Sequence, residues 1–126
     1  MCSIYYTLMG STFGTFIRKR REALRSEDER YSVRRVAGRI GVEPSYLSKV
    51  ERGEEAPPSE PRIRALARAL DEDPDVLLAL AGKISEDLQA IIRRRPALMA
   101  EIIRELKRLP DHAVLRIVRE VRDGDW

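Results

Sequence analysis

Apolar side chains recur at intervals of three and four residues through most of the chain, the spacing that lines up one face of an α-helix. Phe13, Phe16, Ile17 and Leu24 predict a helix over 13–25, with Thr12 as its cap. Ser26 to Arg30 is a charged loop or a frayed end of the first helix, and Tyr31 is expected beneath the next helix. Val33, Val36, Ala37 and Ile40 give a second, short helix, and Ser32 can offer its hydroxyl to a first-turn amide. Gly41 stands where the chain must turn sharply, and a residue without Cβ enters the left-handed region at no steric cost. Pro44 suits the first position of a third helix, because its missing N–H is not needed there. Leu47 and Val50 face inward and Gly53 ends it. Pro57 and Pro58 force an extended connector. Ser59 is placed to cap a fourth helix with Ile63, Leu66, Ala67 and Leu70 inside. Asp73 and Pro74 start a fifth, with Val76, Leu77, Leu80 and Ala81 inside and Gly82 at its end.

Three further helical patterns follow. The first, capped by Ser85, carries Leu88, Ile91 and Ile92. The second, from near Pro96, carries Met99, Ile102, Ile103 and Leu106. The third, from near Pro110, carries Val114, Ile117, Val118 and Val121. These helices are too few to bury their own stripes, which predicts either packing on the first five helices or a homodimer interface; the dimer is preferred. The fold class is therefore all-α. The expected division is an N-terminal arm over 1–12, in a short strand or without order, a five-helix domain over 13–82, and a three-helix extension over 83–126 for dimerisation or regulation.

The second and third helices with the turn at Gly41 form a helix-turn-helix, whose second helix fits the DNA major groove. With Leu47 and Val50 turned inward, Ser45, Tyr46, Ser48, Lys49 and Arg52 are left for solvent or a ligand. Arg34, Arg35 and Arg39 leave the preceding helix on its polar side, where phosphate contact competes with plain solvation.

Charge changes this picture little. Of 126 residues, 24 are Lys or Arg and 21 are Asp or Glu, a net charge of +3, so a nucleic-acid surface must come from clustering. A single cysteine excludes an internal disulfide and any multi-cysteine metal site. His112 has no second histidine or cysteine nearby, and the acidic run from Asp71 to Asp75 lacks calcium-loop spacing, so no metal and no cofactor is expected. No serine elbow, phosphate-binding glycine loop or zinc-hydrolase motif occurs, which argues against an enzyme. No apolar run approaches membrane-spanning length, and the first residues make a poor signal peptide, so a cytoplasmic protein of the bacterial nucleoid is expected.

From about Phe13 to Gly82 the chain resembles the lambda-repressor/Cro-type (XRE) helix-turn-helix regulators. The strongest stretch runs from Ala37-Gly38-Arg39-Ile40-Gly41 through Pro44-Ser45-Tyr46-Leu47 to Lys49-Val50-Glu51-Arg52-Gly53. The resemblance implies that Pro44, Ser45 and Lys49 face base edges, while the flexible ammonium of Lys49 serves a guanine O6 or N7 and a phosphate equally well. It places Tyr46, Arg52 and the start of the second helix, with Arg34 and Arg35, near phosphates; Ser48 is grouped with them. It also implies an Arg21–Glu51 pair joining the first helix to the end of the third. Val33 departs from the family, many members of which carry a DNA-contacting glutamine there; a valine offers only an apolar contact. The expected function is a homodimeric repressor reading a pseudo-palindromic operator in double-stranded DNA. The alternatives are an antitoxin or phage-type immunity regulator whose last helices bind a toxin or a protease, and a helical interaction module that has lost DNA binding.

Overall fold

The computed structural model describes residues 12–126; of the expected N-terminal arm, residues 1–11 lie outside the described residues. Among the described residues there are eight α-helices, one 3-10 turn and no strand. They divide into two compact units, which meet in sequence between Ser85 and Glu86.

The described part of the first unit begins with α1 (Phe13–Arg25), started by the Thr12 hydroxyl accepting from the Thr15 amide at 3.1 Å. The charged loop that follows contains a 3-10 turn over Glu29–Tyr31, capped by the Asp28 carboxylate. α2 (Val33–Ile40) is capped by Ser32, whose hydroxyl accepts from the Arg35 amide at 3.3 Å. α2 ends at Gly41 with φ 76°, and the Val42 amide turns back to the Ala37 carbonyl at 3.0 Å. α3 (Pro44–Glu51) starts on its proline with no side-chain cap.

α4 (Glu60–Leu70) departs from expectation at its start. Ser59 has the extended backbone of a cap, but its hydroxyl accepts no amide bond from the helix. Pro61 in the first turn lowers the number of amides that need a partner. The end of α4 is a left-handed Asp71, φ 54°. α5 (Pro74–Leu80) is capped by Asp73, which accepts from the Asp75 amide at 2.9 Å.

The described core lies entirely between Phe13 and Leu78: Phe13, Phe16 and Ile17 of α1, Val36, Ala37 and Ile40 of α2, Leu47 and Val50 of α3, Ile63, Leu66, Ala67 and Leu70 of α4, and Leu77 and Leu78 of α5. α4 is the hub, touching α1, α2 and α5, while α1 and α2 each pack on α3. The short α2 and α3 are thus held by tertiary packing, as helices of two turns must be.

The second unit contains α6 (Glu86–Arg94), α7 (Pro96–Leu106) and α8 (Asp111–Asp123). α8 starts one residue after Pro110, which occupies the cap position. None of the three helices has a buried residue. The stripes expected inside are split: Ile92, Met99, Leu106, Val114 and Ile117 are half-buried, whereas Ile91, Ile102, Ile103, Val118 and Val121 are 41–59% exposed and Leu88 is 39% exposed.

Candidate nucleic-acid interface

The geometry of α2, the turn and α3 decides which side chains are available. Leu47 and Val50 are buried, and so is Glu51. Helical spacing then turns Ser45, Lys49 and Arg52 outward, and all three are exposed; Pro44, Tyr46 and Ser48 are half-buried at the edges of that face. On α2, the buried Val36, Ala37 and Ile40 leave Arg34, Arg35 and Arg39 exposed. Two short helices joined through a left-handed glycine, with one outward polar face on the second, have the form that places a helix in the major groove.

Comparison with known families agrees with that geometry. A model of the helix-turn-helix domain matches residues 12–80, more than half of the chain. The chain belongs to the helix-turn-helix domain family. No curated protein and no solved structure matches it. The matched span starts at the cap of α1 and ends with α5, so the five described helices of the first unit belong to the helix-turn-helix domain. No described helix is long and apolar enough to cross a membrane, and no described group of histidine, cysteine or acidic residues is arranged to hold a metal.

Within this helix-turn-helix domain, α3 is fixed from behind by a buried ion pair. Arg21 Nε donates to Glu51 Oε2 at 2.7 Å and its Nη2 to Oε1 at 2.9 Å, while Nη1 reaches the Tyr31 carbonyl at 3.2 Å. Both side chains are 5% exposed. The hydrogen bond to Glu51 holds the guanidinium above its ordinary pKa against the opposing effect of burial. One guanidinium thus ties α1, the 3-10 turn and α3 together.

The candidate contact residues differ in what already holds them. Among the described residues, the side chains of Ser45, Lys49, Arg34 and Arg35 are in no hydrogen bond or ion pair. Tyr46 is already engaged: its ring packs on the core and its hydroxyl donates to the Ala56 carbonyl at 3.5 Å. Arg52 pairs with Glu54, Nε to Oε2, at 2.7 Å. Arg39 donates to the Arg30 carbonyl and lies over the Tyr31 ring, 4.9 Å from its centroid, so its charge is committed to the loop before α2. Val33 is half-buried against the core, which gives its valine a packing role.

Two residues that shape the site carry no signal in the helical pattern. Arg62 of α4 reaches the turn, where its Nη1 donates to the Gly41 carbonyl at 2.5 Å and lies 3.4 Å from the Ile40 carbonyl. These are carbonyls at a helix end, which lack helical partners. Gly14 of α1 lies so close to α3 that a Cβ there would fall 2.8 Å from the Glu51 carbonyl oxygen and nearer still to that of Val50. The glycine in a helical first turn, opposite the end of the recognition helix, is the one clue in the sequence.

Proposed function

We propose that the chain is a sequence-specific transcription regulator, a homodimeric repressor of the lambda-repressor/Cro type that reads a pseudo-palindromic operator. The observation that carries this reading is the outward face of α3: Ser45 and Lys49 project from a helix whose opposite face is sealed into the core. In this reading Pro44, Ser45 and Lys49 meet base edges, with Lys49 donating to guanine O6 or N7. Arg34, Arg35, Ser48 and Arg52 lie along the backbone, where contacts set position and not sequence. Tyr46 reaches a phosphate only by giving up its long bond to Ala56. Repression needs no chemistry beyond occupancy of a promoter.

The dimer rests on the second unit. The apolar side chains of this three-helix segment are at most half-buried, a thin core for a segment of this length, and pairing with a second copy is the common remedy. Two copies would place two recognition helices one DNA turn apart. The same open faces would also suit a helical partner protein, which keeps a toxin or protease partner as the second reading.

Selection of bound fragments from random DNA tests the proposal. A palindrome with half-sites one helical turn apart is the expected product. Lys49→Ala should then weaken binding to the selected site by about 1–3 kcal/mol and relax preference at one base pair. Retention of no sequence above background at low salt would leave the fold as an interaction module.

A further inference from the structure

The end of α3 is closed by a fixed loop. Arg52 follows the last helical residue, Gly53 takes φ 77°, and the Glu54 amide returns to the Lys49 carbonyl at 2.8 Å. The Glu55 amide shares that acceptor at 3.3 Å. This is a glycine-dependent helix cap, and it pins the backbone of Glu54 beside the last turn. Its carboxylate stands 2.7 Å from Arg52 Nε, with side chains 51% and 58% exposed. Most exposed pairs must order two long side chains to form. Here the loop fixes the backbone of Glu54, so that its side-chain torsions alone remain to order.

The local charge makes that contact matter. α3 and its cap present two cations, Lys49 and Arg52, between Glu43 on one side and Glu54 and Glu55 on the other. Only Glu54 of these three carboxylates is bonded to either cation. An arginine that binds phosphate from a free state releases a counterion from DNA. An arginine that must first leave a carboxylate exposes that carboxylate, which gathers a cation in turn. The net release is smaller, and so is the gain in affinity.

We infer that Glu54 is a built-in competitor of DNA phosphate for the Arg52 guanidinium, so that the chain binds DNA more weakly, and with a flatter salt dependence, than its recognition helix would allow. The inference rests on the DNA-binding reading above. Glu54 acts through Arg52 and touches no DNA itself.

The test uses the full chain and a fluorescein-labelled duplex of mixed sequence, titrated by anisotropy over a range of salt concentrations. Five proteins are compared: wild type, Glu54→Gln, Glu55→Gln, Arg52→Ala and the Arg52→Ala/Glu54→Gln double variant. Glu54→Gln should bind about two- to five-fold tighter than wild type, the range expected for releasing an exposed ion pair. Its plot of log affinity against log salt should be steeper by up to about 0.9, the equivalent of one phosphate contact. In the Arg52→Ala background the same change should have a smaller effect, equal to that of Glu55→Gln, which reports the general loss of one negative charge. Equal gains from Glu54→Gln and Glu55→Gln in the wild-type background, or a full gain surviving without Arg52, would overturn the inference. Weaker binding by Glu54→Gln would overturn it too, by showing that Glu54 aims Arg52 at phosphate. If wild type and every variant fail to bind duplex at low salt, the DNA-binding reading itself fails, and the inference falls with it.

Discussion

A methyl group at position 14 would meet the last turn of the recognition helix. The added carbon would sit 2.8 Å from the Glu51 carbonyl oxygen and closer to that of Val50, and both neighbours are backbone, which cannot rotate away. Gly14→Ala should therefore push α1 from α3 and cost about 1–3 kcal/mol in urea unfolding, despite alanine's better helix propensity. The Arg21–Glu51 pair sets a second expectation. With both side chains 5% exposed, Glu51→Gln leaves a buried guanidinium without its counter-charge and should cost about 3–5 kcal/mol. Replacing both by apolar residues, Arg21→Met with Glu51→Leu, should cost much less, because no buried charge is then unpaired. Unfolding midpoints of the two proteins check the difference. Asp28 offers a test by pH. The Arg30 side chain, then the Arg30 amide, bond to its carboxylate and lower its pKa to about 2. A depressed carboxylate adds stability above its unfolded pKa of about 3.9 and loses it as pH falls towards the folded value. Carboxyl carbon shifts followed by NMR should show Asp28 still ionised at pH 3, and Asp28→Asn should remove that part of the acid dependence.

At the scale of the element, the turn between α2 and α3 depends on Gly41 and on Arg62. Gly41 has φ 76°, where an L side chain costs about 1–2 kcal/mol, so Gly41→Ala should lower stability by that amount. Arg62→Ala removes a donor from the carbonyls at the end of α2; the carbonyls then turn to water, and stability should fall by about 1 kcal/mol. These two residues also mark what the sequence could and could not reveal. The helices were legible because their ends are written locally: Thr12, Ser32 and Asp73 accept amides within three residues, and Pro44 and Pro74 open helices in place. Gly41 belongs to that local grammar. Arg62 does not, because its partner lies twenty-one residues earlier and is met only after the connector has brought α4 across the turn. Ser59 shows the converse. Its residue type and backbone fit a cap, yet its hydroxyl makes no such bond, since a side-chain rotamer is not fixed by position in the sequence. The Arg52–Glu54 pair is local in sequence but depends on the left-handed Gly53, so the pattern of cations on α3 showed Arg52 and hid what holds it.

At the scale of the whole molecule, apolar surface is distributed unevenly. The first unit contains every buried apolar side chain among the described residues, whereas α6, α7 and α8 contain none. The exposed isoleucines and valines are not scattered: Ile91 lies on α6, Ile102 and Ile103 lie together on α7, and Val118 and Val121 lie one turn apart on α8. Large exposed apolar side chains on all three helices are what the proposed pairing of two copies would cover. If that surface joins two copies, its loss should separate them without unfolding the helix-turn-helix domain, whose core it does not share. Ile102→Asp with Val118→Asp in the full chain should convert a dimer to a monomer by sedimentation velocity, while the helical signal of the first unit and its Arg21–Glu51 pair persist. Binding to a single half-site should survive, because each domain carries its own α3. Binding to the complete palindrome should weaken steeply, because two tethered domains bind with a high effective concentration that free domains lack. A wild-type chain that sediments as a monomer at every concentration, and binds half-site and palindrome alike, would assign the open faces to a partner of another kind.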